Sequence, residues 1–297
     1  MKKLLVFVLI ATICLLPMVF SACSVDTSVL SAEEMLPHCD DNITTNPLET
    51  MLNIDISADL YAVAFYNVPG DKVTIDFTHH DKCSVTKRIE NNTLYIVQDC
   101  KPLTIHIGRS TLCLVVGIPE SWTGYSINAD VDVGALGIED SKAGSIHVEL
   151  DTGACKVVTQ NATNVSIQSN TGAVMFQGKT DTLDVEVDTG ATKLEGTANT
   201  VTVDTDTGAI KVDMEANKIF LSTDTGAINF EVTNNTTIHV ESDTGSIRGT
   251  IHGDKAQYSI LVDVDTGSCN VKDQIGTGNQ VLEINVDTGS ARIDFVQ

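Results

Sequence analysis

Positive charge is scarce in this chain. Its 18 Lys and Arg stand against 40 Asp and Glu, a formal charge of −22 over 297 residues, and so acidic a surface is a poor partner for nucleic acid or anionic lipid. Aromatic residues are few, at 5%, whereas Val, Ile, Thr and 21 Gly are plentiful, a balance that suits many short strands and turns far better than helices. No Gly-x-Ser-x-Gly, phosphate loop or paired CxxC occurs, so the chemistries those motifs carry have no bearer here. With 40 acids to choose from, a carboxylate pair for glycoside or pectin chemistry could be drawn from anywhere, so none is assigned. Beyond residue 22 no run is long and apolar enough to span a bilayer.

The first 22 residues, MKKLLVFVLIATICLLPMVFSA, combine two lysines, an apolar run and small residues before Cys23, which is a secretory signal. The ending VFSAC resembles a bacterial lipobox, with Phe20 where Leu is usual. Lipidation of Cys23 would hold the protein to a membrane surface without a spanning helix; the other reading is ordinary cleavage near Ala22. Loss of Lys2 and Lys3 takes the mature charge to about −24. Metal cations, cationic peptides and neutral glycans are the partners such a charge admits. Residues 23–51 are polar, with two prolines and no period, and read as a tether with one short ordered piece near Cys39.

Residues 52–120 show alternating strands with turn signals at VPGD and ENNT, an antiparallel or mixed β lead-in that would cap one end of the region beyond it. A two-residue turn at Asn91-Asn92 sets Cys83 opposite Cys100 at a non-hydrogen-bonded site, so these two are the expected disulfide in an oxidising compartment.

From residue 121 the chain repeats itself. Asp-Thr-Gly-Ala or Asp-Thr-Gly-Ser begins at Asp151, Asp188, Asp206, Asp224, Asp243, Asp265 and Asp287, and Asn-Thr-Gly-Ala at Asn170, in steps of 19, 18, 18, 18, 19, 22 and 22 residues. A degenerate first copy places Asp132, Gly134 and Ala135 in the tetrad positions. The tetrad is also that of an aspartic protease, but such an enzyme needs two loops whose carboxylates share one proton; eight copies at this spacing cannot serve that purpose. Five and three residues before each Asp or Asn, every position is aliphatic, from Ile146 and Val148 to Leu282 and Ile284. Between these columns stand Glu149, Gln168, Glu186, Asp204, Ser222, Glu241, Asp263 and Asn285, the alternation of a strand with one wet face. Beyond the tetrad a second inward column runs from Val157 to Ile293, beside an outward row of Lys156, Met175, Lys193, Lys211, Asn229, Arg248, Asn270 and Arg292.

One such repeat cannot bury its own aliphatic face, so neighbours must stack. The expected fold is all-β: a parallel β-solenoid of about nine rungs of 18–22 residues over 121–297, on the order of 40 Å long at ~4.8 Å per rung. An up-and-down antiparallel barrel, with the Thr-Gly pairs as hairpin turns, is the rival. In the solenoid the tetrads are structural corners. Gly153, Gly172, Gly190, Gly208, Gly226, Gly245, Gly267 and Gly289 would supply positive φ, and each Asp or Asn would cap the N–H two residues on as an Asx-turn. The cost is a column of carboxylates, some with raised pKa. Each half turn of the calcium-binding nonapeptide roll needs Gly-Gly-x-Gly-x-Asp, which is absent, so neither a metal nor a cofactor is expected. THHD at 78–81 reads as surface strand, and Cys155 and Cys269 as small core residues.

With its repeats laid out, the chain resembles the bacterial putative-adhesin family with β-strand repeats (domain of unknown function 4097) over about residues 52–297. The likeness rests on IDISADLYAVAFYNVPGDKVTIDF, then CLVVGIPESWTGYSINAD, then glycine corners between aliphatic strands; the family's usual corner is Ser-Gly-Asp. The resemblance implies an extracytoplasmic β-solenoid and offers no catalytic residues. The resulting expectation is a non-enzymatic, lipid-anchored cell-surface protein that binds a glycan, matrix or envelope protein. The alternative is an envelope-stress or regulatory lipoprotein acting through a membrane partner, and a carbohydrate-active β-helix enzyme comes third.

Overall fold

A computed structural model describes residues 31–45, 52–101 and 112–297. The expected signal at 1–22 and the expected lipidation site Cys23 lie outside the described residues, and among those described no helix is long and apolar enough to cross a membrane. The fold is all-β, a single mostly parallel sheet that does not close on itself. The antiparallel barrel is thereby excluded.

The chain runs through α1 (Ala32–Met35), β1 (Asp41–Thr44), β2 (Asn53–Ala58), β3 (Ala62–Val68), β4 (Thr74–Phe77), β5 (Cys83–Glu90), β6 (Thr93–Cys100) and β7 (Cys113–Pro119). It continues through β8 (Ser126–Val133), β9 (Leu136–Ser141), β10 (Ser145–Thr152), β11 (Cys155–Thr233), β12 (Thr237–His252), β13 (Tyr258–Cys269) and β14 (Gln280–Val296). In the lead-in, β2 pairs in parallel with β6 and β8, and β3 with β7 and β9. Among the described residues the strands that pair antiparallel are β1–β4, β4–β7 and β5–β6, with an isolated antiparallel bridge between Ile260 and Gln274. Asn91 and Asn92 both take positive φ, 50° and 60°, the two-residue hairpin turn that a right-handed strand twist prefers. Cys83 faces Cys100 across it, with their Cα atoms 4.1 Å apart and their sulfurs joined.

The stretch read as a tether contributes to the fold. Residues 31–45 pack against the sheet because two apolar side chains, Ala32 and Met35, are buried with Ala64, Cys113 and Val115. Ser31 caps α1 by accepting the Glu34 N–H at 3.2 Å, and the Glu34 carboxylate accepts the Ser31 N–H at 2.8 Å. The Ala32 N–H reaches Glu139 of β9 at 2.8 Å.

In the repeat region neighbouring copies pair in parallel and in register, Ile146 with Val165 and Ile219 with Ile238. Both aliphatic stripes are buried, with Val262 only half so, and they form one core that runs from Leu52 to Ile293. Pairing continues through the tetrad itself: Thr225 lies opposite Thr244, Gly226 opposite Gly245 and Ala227 opposite Ser246. The inward face nevertheless changes parity there, from positions one, three and five before the Asp to four and six after it.

Glycine is required for a different reason than expected. Gly153, Gly172, Gly267 and Gly289 have φ of 145–155°, but Gly190, Gly208, Gly226 and Gly245 do not share that positive φ. What the column has in common is contact: a Cβ at Gly153, Gly172, Gly190, Gly208, Gly226 or Gly245 would fall 1.5–1.6 Å from the carbonyl oxygen of the preceding tetrad glycine. The Asx-turn is corrected as well. The Gly153 N–H donates to Thr171 O of the neighbouring copy at 2.9 Å, not to Asp151, so the inter-strand ladder takes the donor that the side chain was expected to cap.

Copies do not stack wholly in sequence order. β12 pairs with β14, and β14 with β13, so the last copy inserts between the two before it; a Cβ on Gly289 would strike Gly245 O, and one on Gly267 would strike Gly289 O. Length explains the exchange. β14 matches β12 along its whole run from Thr237 to His252, whereas β13 ends at Cys269. Placing the longer strand inside satisfies more backbone donors and acceptors, and the long connections after His252 and Cys269 provide the reach. Gly249, the one break in the second aliphatic column, is filled by the Phe230 ring, whose Cζ lies 2.1 Å from where a Cβ would stand.

The glycine contact and the buried hydroxyls each bear on stability. Gly208→Ala should lower unfolding free energy by roughly 3–5 kcal/mol, because the obstacle is backbone, whereas Asp206→Asn at an exposed position should stay within about 0.5 kcal/mol; urea unfolding measures both. The hydroxyls of Thr205, Thr223 and Ser242 are buried and, among the described residues, have no hydrogen-bond partner, while Val187 and Val286 occupy the same column. Thr205→Val and Thr223→Val should each therefore raise stability by about 1 kcal/mol; equal or lower urea midpoints would contradict this.

Candidate functional site

Three outward rows share one face of the sheet, four, two and zero residues from each Asp or Asn. All eight tetrad carboxylates and amides are exposed. The ladder brings Glu149 beside Gln168, and Ser222 beside Glu241, but the strand exchange sets Asn285 between Glu241 and Asp263. Amides and two imidazoles interrupt the acids, His147 lying 3.1 Å from Glu149. Asn170 Nδ2 donates to Asp151 Oδ1 at 2.9 Å, and Gln168 Nε2 to Glu186 Oε2 at 3.1 Å. His239 lies 3.0 Å from Glu283 on the neighbouring strand and 3.5 Å from Glu241 on its own.

Where no such relief occurs, like charges act on one another. Desolvation first, then the carboxylates of Asp287, Asp224 and Glu241, raise the Asp243 pKa above the ordinary range. Asp132 is raised by desolvation and by Asp59, Asp130 and Asp151. At the β13 end Glu241, Asp263, Asp265, Glu283 and Asp287 ring a hollow of about 430 Å³. Among the described residues no group of three or more His, Cys, Asp or Glu could hold a metal ion.

The outward row beyond the tetrad, from Lys156 to Arg292, carries less positive charge than its own column suggests. In four of the eight copies an acid, Glu195, Asp213, Glu231 or Asp294, stands two residues further along on the same side. Lys193 Nζ lies 2.6 Å from Glu195, and Arg292 Nε 3.0 Å from Asp294. The exchange also brings Arg248 directly beside Arg292. Reading the row without the position two residues on misses the neutralising acids, although period-two alternation was enough to find them.

The remaining expected sites lie apart from these rows. His79 is exposed, 3.9 Å from Asp41 and 3.7 Å from Asp81, and the ring of His80 accepts the Lys82 N–H in a turn. Cys155 is fully buried, and Cys269 is half-exposed because β13 is an edge strand.

No family model matches the chain, and no curated protein matches it. Among solved structures it is similar to a putative adhesin from Bacteroides fragilis NCTC 9343, with a TM-score of 0.41 and 14% identity, covering 86% of this chain and 98% of that one. A putative cell adhesion protein from Clostridium sporogenes ATCC 15579 gives a TM-score of 0.23 and 8% identity, covering 86% of this chain and 97% of that one. At these scores neither likeness carries a functional inference.

The raised Asp243 pKa has a definite sign. A carboxyl whose folded pKa exceeds its unfolded value destabilises the fold while both forms are ionised, and that penalty disappears as pH falls through the folded and then the unfolded value. Asp243→Asn should therefore raise Tm at pH 7 and leave it unchanged below about pH 3. A Tm gain of the same size at both pH values would show that the charge is not its origin.

Proposed function

We propose that this chain is a non-enzymatic, exported surface protein: a β-solenoid of about nine rungs, capped by residues 52–120, tethered through residues preceding α1 and lipid-anchored at Cys23. By its resemblance it is assigned to the adhesin-like family with β-strand repeats. Its task is adhesion or surface scaffolding, with a glycan, matrix or envelope protein as ligand and no nucleic acid as partner.

The observation that carries this reading is the in-register parallel stacking. It turns each outward column into a row with one side chain per strand, spaced by about 4.8 Å. Change of inward parity at every tetrad, with copies pairing at intervals of 19 residues on both sides of it, is what a coil requires and a flat ribbon does not. The acidic face is the better docking surface of the two, because Glu195 and Asp294 engage the cations of the opposite face. A neutral glycan or a cationic stretch of protein fits it. Short returns between most copies leave no long loops from which a polysaccharide cleft would be built, which supports the non-enzymatic reading.

Small-angle scattering on the mature chain should give an elongated particle with a long axis of at least about 40 Å. On arrays of glycans and matrix proteins the same protein should bind at least one class. Replacing Glu186, Asp204 and Glu241 together by Gln, Asn and Gln should weaken that binding at least about tenfold without lowering Tm. Blank arrays at high protein concentration, or turnover on a polysaccharide panel, would defeat the proposal.

A further inference from the structure

Four cysteines of the described residues stand outside the Cys83–Cys100 bridge: Cys39, Cys113, Cys155 and Cys269. Cys155 and Cys269 follow tetrad glycines at opposite ends of the contact column, far beyond bridging distance. Cys39 and Cys113 are 74 residues apart in sequence yet belong to one small apolar cluster with Ala32, Met35, Ala64 and Val115, separate from the main core. The backbone draws them together through one side chain. Thr78 Oγ1 donates to His38 O at 2.9 Å and accepts the Cys113 N–H at 3.1 Å, so these two main-chain atoms lie within about 6 Å of each other. The Cys39 Sγ–H is directed at Met35 O, 3.7 Å away, and rotation about its Cα–Cβ bond carries the sulfur off α1.

We propose that Cys39 and Cys113 form a second disulfide, a latch that fixes the N-terminal segment to the sheet. The two S–H bonds become one S–S bond, and the two electrons and two protons pass to the disulfide of a thiol–disulfide oxidoreductase or of oxidised glutathione, which is reduced to two thiols. Burial pushes the Cys39 thiol up to about 12 and raises Cys113 as well, so thiolate is scarce once the cluster has closed. The bond therefore forms during folding and exchanges slowly afterwards.

Its use follows from topology. Pulling on the chain from a membrane anchor loads α1 and then β1, an edge strand held to β4 over four paired positions. The latch moves that load to β7, whose seven residues are all buried. This rests on the exported reading only for the oxidising compartment; the pairing itself is independent of it.

The test maps disulfides in two preparations, each unfolded and alkylated without reduction and then analysed as peptides by mass spectrometry. In mature chain refolded from the reduced state with a glutathione redox pair, Cys39 should be linked to Cys113 and Cys83 to Cys100. Alkylated Cys39 and Cys113 beside an intact Cys83–Cys100 bridge would overturn the proposal. In precursor exported to a bacterial envelope the same two bonds are expected. If both form in the refolded chain while all four cysteines of the exported protein are alkylated, the pairing stands and the exported reading falls. Amide exchange over residues 31–45 should accelerate by at least about tenfold in Cys39→Ser relative to the oxidised parent; equal rates would remove the latch.

Discussion

Backbone approaches backbone so closely along the tetrad column that no side chain fits: a Cβ on Gly208 would sit 1.6 Å from Gly190 O, and one on Gly226 equally close to Gly208 O. Everything else in the repeat region depends on that contact. It fixes register, because a slip by one residue would press a Thr or an Ala against the carbonyl and would also turn both aliphatic stripes toward water. It explains why pairing continues through the tetrad, with Gly226 opposite Gly245. Hydrogen bonding alone would tolerate a shifted register; the glycine column does not.

The ends of the sheet show how the fold manages what the column cannot. β13 has a partner on one side only, and an unpaired edge invites association with other strands. Its first half is covered by the loop after Cys269. Gln274 exchanges backbone hydrogen bonds with Ile260, the Asp273 carboxylate accepts the Val262 N–H at 2.8 Å, and the Thr277 N–H donates to Ala256 O. At the other end β5 lies outermost, Ile89 is half-exposed, and Lys87, Arg88 and Glu90 line the edge, with the Arg88 guanidinium over the Tyr95 ring. Charge at the β5 margin and a folded-back loop at β13 blunt two edges of an open sheet on which β1 is a third.

Much of this was legible in the sequence, because periodicity reports burial directly. The aliphatic stripes, the parallel stacking and the register of Cys83 with Cys100 depend on spacing, and spacing survives without coordinates. Three features did not. The place of β14 between β12 and β13 depends on comparing strand lengths and connections, and the pattern within each copy is the same whichever order they take. The role of glycine looked like a matter of φ because a single copy shows only its own backbone; the obstacle belongs to the neighbour. Residues 31–45 lacked any period, and their packing rests on the buried Ala32 and Met35 with the partly buried Leu36, Cys39 and Ile43, too irregularly spaced to register as a pattern.

In-register parallel stacking has an electrostatic consequence that a mixed sheet avoids: every outward residue stands beside its own counterpart. At about 4.8 Å between strands neighbouring charges lie well inside the ~8 Å screening length of physiological salt, so salt does not remove their repulsion. The acidic face answers with interruptions, the amides of Asn170 and Gln168, His239 between two glutamates, and Asn285 brought between Glu241 and Asp263 by the exchanged strand. An unbroken row reads the same at every rung, and a polymer laid along it could slide by one rung at no cost. Only the interruptions distinguish one position from the next, so on the proposed docking face a register can be set only where the repeat is broken.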